Sequence, residues 1–321
     1  MKVNNDTAQF LKLLQVFKES EKEVYMIQVT KGKVETAKKV VIYGPEGIGK
    51  STLASNFPNP VFIDTEGSTK ALDVARYPEV KNWMDIKAFV EDSINTRQFS
   101  TIVIDTADWA ERFCIRAVCA KQKVSGIEDI PYGKGYTYVM EEFAQLLDMC
   151  NKAIAAGINV VFTAHAQMRK FEQPDEMGSY DRWEMKLSKK AAPLLKEWAD
   201  MVLFCNYKTQ VMTDSKTQSK KAFGGKRVMY TSHHPCWDAK NRYDLPEQVD
   251  MEFAQIAHLF STQPTPVQAQ EPNYRLELRA LIAEKSLDGR RIAATWHLGK
   301  DSTNEDYRKA YEDTKKTYGG K

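Results

Sequence analysis

The 321-residue chain has no uninterrupted apolar run long enough to form a bilayer-spanning helix. Its start, MKVNNDTAQFLKLL, lacks the apolar stretch and small-residue cleavage site of a secretory signal. Cysteine is scarce and scattered. Cys114, Cys119, Cys150, Cys205 and Cys236 are odd in number and hold no CxxC pair, so they read as reduced, mostly buried thiols rather than a disulfide framework. These absences predict a cytoplasmic protein with no membrane partner. A strong charge bias is also missing: a net charge of +3 permits nucleic-acid binding without demanding it.

From Lys38 onward, short β-rich runs alternate with helical segments. KKVVIYG, PVFIDT, STIVIDT, INVVFTAH and ADMVLFCN read as strands, with WMDIKAFVEDSINTR and YVMEEFAQLLDMCNKAIAAG as helices between them. Strands separated by helices of this length predict an α/β fold, a mostly parallel sheet with helices on both faces. YKTQVMT and RVMYTS then predict a late β-hairpin with a polar, basic tip, and VDMEFAQIAHLFS a closing helix. Upstream, Phe10, Leu13, Leu14 and Phe17 give residues 7–20 the spacing of an amphipathic lead-in helix, followed by the strand-like EVYMIQV. The Pro- and Gln-bearing stretch 262–273 reads as a linker. It divides a core, residues 1–261, from a small helical C-terminal appendage, 274–321, expected as two charged helices about a turn.

The sharpest chemical signal is G-x-x-x-x-G-K-S, from Gly44 to Ser51, set between a buried strand and a helix. The loop Gly44, Pro45, Glu46, Gly47, Ile48, Gly49, Lys50, Ser51 and Thr52 has the composition to wrap backbone N–H groups round the phosphates of ATP. Lys50 would reach the β- and γ-phosphates, and the Ser51 hydroxyl would ligate Mg²⁺. Such a site also needs an acid at a strand end to hold the ion. Asp105, closing STIVIDT, is the favoured choice, and Asp64 in VFIDTEG competes with it. A GTPase base reader, N-K-x-D, is absent. QMRKFEQPDEMGSYDRWEMK carries more acids than the arginine lid of a small-molecule kinase would tolerate. Glu66, just past the second strand, is placed to polarise a water beside a γ-phosphate.

Together GPEGIGKST, FIDTEGS, TIVIDT and VVFTAH resemble the RecA-like ATPase core, and within it the phage-encoded Sak-type single-strand annealing recombinases. The resemblance covers roughly Lys38 to Pro246. It implies a RecA-like P-loop NTPase core that hydrolyses ATP with Mg²⁺, with Glu66 activating water and Asp105 linked to the metal. His165 falls where a polar sensor of the γ-phosphate, often glutamine, is expected.

TSHHPCWDAKNRYDLP, residues 231–246, invites a zinc reading, but ligand number and spacing both fail it. Lys240 and Arg242 instead resemble the finger that related hexameric motors insert into a neighbour's ATP site, with His233, His234 and Trp237 packing behind it. Two polar stretches, 121–138 and 167–190, are the loops expected to meet single-stranded DNA. Their candidates are Lys134, Tyr136, Arg169, Lys170, Arg182 and Lys186, interleaved with Tyr132, Tyr138, Phe171, Tyr180 and Trp183 and opposed by Asp175, Glu176 and Asp181.

The expectation is a ring or short filament on single-stranded DNA, promoting recombination by annealing or pairing, in the host cytoplasm if phage-encoded. A single-strand DNA-binding protein would be a further partner. A DnaB-like helicase or helicase-loading motor is one alternative; a nucleotide-gated protein scaffold that never binds DNA is the other.

Overall fold

The computed structural model describes residues 31–172, 178–213, 220–260, 274–299 and 302–318. The chain divides into two compact units, Met1–Glu35 and Thr36–Lys321, and the elements below belong to the second. The expected lead-in helix, the EVYMIQV strand and the linker lie outside the described residues, as do the two hairpin tips.

Five strands pair in parallel: β1 (Lys39–Gly44), β2 (Pro60–Asp64), β3 (Ala75–Arg76), β4 (Thr101–Asp105) and the first part of β5 (Asn159–Glu172). On the far side of β1 lies β7 (Met201–Thr213), also parallel, followed by antiparallel β8 (Lys220–Tyr230) and β9 (Gln248–Asp250). The order is β3-β2-β4-β5-β1-β7-β8-β9, with β6 (Ser179–Met185) paired to β5 off this path. This is the mostly parallel sheet of the α/β P-loop core that the sequence predicts.

The buried strands carry apolar residues continuously, and their period of two sorts alternate side chains to opposite faces. Val41, Tyr43, Ile63, Ile104, Phe162 and Phe204 point to one face. There they meet α2 (Trp83–Thr96), α3 (Ala107–Gln122), α4 (Gly135–Ala155) and α5 (Ala191–Trp198). Val40, Ile42, Phe62, Val103, Val161 and Leu203 point to the other, against Leu53 of α1 (Lys50–Ala54), Phe57, Ile256 and Phe260. Both faces are covered, but four of these helices crowd one of them. Removing a ring such as Phe162, fully buried in the larger cluster, would cost on the order of 3–5 kcal/mol.

Three local expectations are corrected. VDMEFAQIAHLFS does not close the core as a helix: Gln248–Asp250 pairs with the open edge of β8, and two 3₁₀ turns follow, Phe253–Gln255 and Ala257–Leu259. Apolar Phe253, Ile256 and Leu259 recur every three residues, the period of a 3₁₀ turn, and Phe57 stacks between Phe253 and Phe260. Among its described residues the appendage holds three helices, α6 (Tyr274–Glu284), α7 (Gly289–Thr295) and α8 (Asn304–Tyr318), because Asp288 caps a short α7 that the charge pattern conceals. Stretch 167–190 begins as paired strands rather than a loop. β5 continues past His165 to Glu172 and β6 returns beside it, with Phe171 and Tyr180 opposed at 5.6 Å. No described helix is long and apolar enough to cross a membrane.

Candidate nucleotide site

Strand register assembles the site. Gly44 at the end of β1 lies level with His165 on β5, and Asp64 at the end of β2 is level with Asp105 on β4. The P-loop, both acids and the histidine therefore reach the same carboxyl edge of the sheet, where open α/β sheets bind ligands.

The loop from Gly44 to Ser51 turns on left-handed glycines, Gly47 at φ 72° and Gly49 at φ 104°. Gly49 has a second reason to lack a side chain: a Cβ there would lie 2.7 Å from an Arg227 guanidinium nitrogen. Ile48 is fully buried in the smaller cluster and anchors the loop, so its side chain serves packing. Lys50 folds back, its Nζ donating to the carbonyls of Pro45 (3.0 Å) and Gly44 (3.2 Å). Burial pulls its pKa below the ordinary lysine value, although Asp105, Asp108 and Glu66 pull the other way.

Asp105 is fully buried. Its Oδ2 accepts from Ser51 Oγ at 2.7 Å, and its Oδ1 accepts from the Thr163 hydroxyl. Burial raises its pKa above the usual carboxylate range against those two hydrogen bonds. Asp64, the competing acid, is used differently. It accepts from the backbone N–H of Glu66, Gly67, Ser68 and Thr69 and from the Thr69 hydroxyl, and so folds the turn that carries Glu66. Despite partial burial those bonds hold its pKa below the ordinary value. Ser51 and Asp105 are hard oxygen donors side by side at the P-loop, a donor pair that fits Mg²⁺ shared with phosphate oxygens.

Glu66 faces a pair of buried groups. His165 Nε2 lies 3.8 Å from Glu66 Oε2, while its Nδ1 is 2.9 Å from Asp108 Oδ2. The backbone N–H of His165 donates to the other Asp108 oxygen at 3.0 Å. Burial pushes the Glu66 pKa up, opposed by His165 and reinforced by Asp108 and Asp105. Burial would raise Asp108 too, but its hydrogen bonds from His165 leave it below the ordinary value.

The family model described as AAA domain matches residues 36–243, more than half of the chain. The chain belongs to this AAA-domain family. It is similar to the SPbeta prophage-derived uncharacterized protein YorG of Bacillus subtilis (strain 168), with 25% identity over 134 residues. That alignment covers 40% of this chain, and the chain spans 41% of the relative's length. Among solved structures, a KaiC-like protein from Pyrococcus horikoshii OT3 is similar at a TM-score of 0.33 and 14% identity, covering 60% of this chain and 77% of that one. The flagellar accessory protein FlaH of Methanocaldococcus jannaschii is similar at 0.29 and 12%, covering 62% and 79%.

Other candidate residues of this AAA-domain protein fall elsewhere. Lys240 is not a free finger: its Nζ donates to the carbonyls of Lys196, Glu197 and Ala199 and caps the end of α5. Its backbone bridges Val202, near the start of β7, which puts it at the sheet end opposite this chain's own P-loop. Arg242 stays 59% exposed and binds Asp200 at 3.1 Å. The surrounding residues pack as a corner in which Trp237 stacks on His234 and meets Tyr230 and Phe204. His233 lies 3.7 Å from Asp238. Among the described residues no group of three or more His, Cys, Asp or Glu could hold a metal ion.

The expected DNA residues divide. Arg182 is corrected: its side chain is 11% exposed, tied to Asp238 and laid over Phe171. Arg169 (3.8 Å from Glu184) and Lys186 (3.6 Å from Glu46) keep exposed heads, and exposed Lys170 stands opposite Asp181. Stretch 121–138 is shorter as a loop than expected, because Tyr136 and Tyr138 lie in the first turn of α4. The Tyr136 hydroxyl bonds Glu128 at 2.9 Å, exposed Lys134 precedes the helix, and Tyr132 stands 95% exposed.

Two residues at the site escaped the sequence reading. Asp108 sits three positions after Asp105 and carries no spacing signature. Arg227 on β8 reaches the P-loop, its Nη1 3.3 Å from the Ile48 carbonyl, and only the neighbour order β1-β7-β8 reveals it.

Proposed function

We propose that this AAA-domain ATPase couples Mg²⁺-dependent ATP hydrolysis to single-stranded DNA, as an oligomer that anneals or pairs strands in recombination. The observation that carries the reading is the continuity of one strand. β5 holds His165 beside Glu66 and runs on unbroken into a hairpin bearing Arg169, Lys170 and Phe171. A polyanion lying along that hairpin would act on the same backbone that sets His165. Exposed cations suit phosphates, and Tyr132 offers an exposed ring for base stacking.

Ser51 and Asp105 would hold the ion, which when bound supplies charge neutralisation on the β- and γ-phosphates. Lys50 would leave its carbonyl partners for phosphate oxygens, and Glu66 would orient the attacking water. In an oligomer, exposed Arg242 is the member of the Lys240–Arg242 pair able to reach a neighbour's phosphates. The prophage origin of the similar protein is consistent with a phage setting.

The test is the ATPase rate with and without single-stranded DNA at two salt concentrations, for wild type and for Arg169→Ala/Lys170→Ala. We expect stimulation by DNA that the double variant loses, and binding that weakens with salt as counterion release requires. Strand-pairing rates and unwinding of a tailed duplex then separate annealing from a helicase or helicase loader. The acids beside the hairpin cations, Glu184 and Asp181, favour a nucleotide-gated protein scaffold as the second reading. A rate and a binding assay both indifferent to DNA would establish that reading instead.

A further inference from the structure

We propose that Glu66, His165 and Asp108 form a proton relay for the hydrolytic water, with Asp108 as the positioning residue that fixes the imidazole. The inference rests on reading Glu66 as the group that takes the water's proton.

Three separate elements converge here: the turn after β2, β5, and the first turn of α3. Asp108 uses both oxygens on one residue, Oδ1 for the His165 backbone N–H at 3.0 Å and Oδ2 for the ring at 2.9 Å. A bidentate grip of this kind fixes ring orientation as well as position, as carboxylates bonded behind metal-bound histidines do. Asp108 is 5% exposed and its pKa lies below the ordinary value, so it is an ionised acceptor with no proton to give. The ring nitrogen facing it must therefore carry hydrogen. In the neutral imidazole Nε2 is then the lone-pair nitrogen, and it faces Glu66 Oε2 at 3.8 Å.

Two acceptors facing each other gain nothing at rest. They gain a hydrogen bond once Glu66 has picked up a proton. The gap must close by about 1 Å to reach hydrogen-bond range, as catalytic contacts do on substrate binding. The titratable neighbours of Glu66 are His165, Asp108, Asp105 and Lys50, and among them the neutral form of His165 offers a proton-accepting lone pair without being an acid. Glu111 lies beyond Asp108, held by the Ser188 backbone N–H.

The step balances. The water oxygen bonds to the γ-phosphorus as the bond to the β,γ-bridging oxygen breaks, and that electron pair leaves with ADP. The water's proton passes to Glu66 Oε2 and on to His165 Nε2. Glu66 is ionised again, and the imidazolium rests between two carboxylates until the proton departs with phosphate.

The experiment combines steady-state kinetics with ¹⁵N NMR of the imidazole, assigned by the signal lost in His165→Gln. In the resting wild type at mildly alkaline pH, Nδ1 should carry hydrogen and Nε2 should not. His165→Gln and Asp108→Asn should each lower kcat about 100-fold, the low end of what a proton-transferring side chain contributes, with the KM for ATP nearly unchanged. The double variant should be no slower than His165→Gln, because Asp108 acts only through the ring. A proton on Nε2 at rest, a wild-type kcat in Asp108→Asn, or additive losses in the double variant would each overturn the relay. Glu66→Gln separates the two levels: a near-wild-type rate there removes the base reading and the relay with it. A dead Glu66→Gln beside an unaffected Asp108→Asn removes the relay alone. If Asp108→Asn does not fold, His165→Gln and the wild-type spectrum decide.

Discussion

The two ends of the parallel strands carry similar residue types and treat their charges in opposite ways. At the carboxyl end, Lys50, Glu66, Asp105, Asp108 and His165 face one another. Burial there lifts Asp105 and Glu66 above the ordinary carboxylate range and pulls Lys50 down. At the amino end, Lys240 spends its donors on three carbonyls of one helix terminus, and Arg242 lies against Asp200 at the surface. The contrast separates charges that complete a backbone from charges packed against each other. Burial lowers the Lys240 pKa as well, so it is the facing of opposite charges at the carboxyl end, not a displaced pKa alone, that sets that edge apart.

The largest effect expected is at Asp105. Asp105→Asn keeps the shape and the Ser51 contact but removes the charge proposed to hold the metal, so kcat should fall at least about 100-fold. Stability should move the other way. A carboxylate raised by burial binds its proton more tightly in the folded state, so wild-type stability declines as pH rises from the ordinary carboxylate range through the folded pKa. The variant should lack that decline and melt at or above the wild-type temperature at neutral pH, in buffer free of nucleotide and Mg²⁺. Parallel melts from acid to neutral pH check the sign. A variant less stable than wild type throughout would mean Asp105 is a structural bond, like its counterparts at the other end.

Lys240 should give the mirror image. Lys240→Ala leaves three carbonyls at the end of α5 without their donor, which costs about 1–3 kcal/mol in a urea melt. Its kcat at saturating ATP should stay within about two-fold of wild type, a limit set by the absence of any contact with the P-loop. A collapse of kcat with unchanged stability would instead make it the finger that the sequence suggests.

That suggestion shows what a sequence can and cannot carry. The P-loop, Asp105 and Glu66 were legible because each closes or follows a buried strand, and strand ends in a parallel sheet share one edge. The sequence favours Asp105 over Asp64, although both end near-identical runs. The structure separates them further, since Asp105 accepts from Ser51 of the P-loop while Asp64 gathers the turn beneath Glu66. Lys240 looked like a free cation because its partners are backbone carbonyls some forty residues upstream, which no side-chain pattern encodes. The second expected DNA loop proved a hairpin because its alternation is carried by cross-strand pairs, Phe171 with Tyr180 and Lys170 with Asp181, rather than by apolar runs. Asp108 was hidden for a simpler reason: an acid in the first turn of a helix is ordinary, and its value lies in facing His165.

Arg227 sharpens the comparison at the carboxyl end, because it too bonds a backbone carbonyl, that of Ile48, yet does so on the P-loop. A helix-capping cation holds a static terminus, whereas this one braces the loop that must receive phosphate. Arg227→Ala should raise the KM for ATP roughly five-fold, the equivalent of about 1 kcal/mol, with kcat unchanged. Isothermal titration with a non-hydrolysable ATP analogue measures the same loss directly. An unchanged affinity would class Arg227 with Lys240, as a residue that only completes the fold.

The smallest effect on the fold itself belongs to Arg242. The Arg242 side chain is 59% exposed over a 15% exposed Asp200, and pairs open to solvent on one side contribute little, so Arg242→Ala should change unfolding free energy by less than about 1 kcal/mol. That small cost is what makes the variant informative. Arg242 lies at the sheet end opposite its own P-loop, so a loss of ATPase activity in a fully stable Arg242→Ala cannot come from its own site. It would have to come from a site on another copy of the chain. Mixing Arg242→Ala with Glu66→Gln then decides: partial recovery means that an arginine from one copy completes the glutamate-bearing site of the next. A full rate in Arg242→Ala alone would confine all of the hydrolytic chemistry to the carboxyl edge of a single chain.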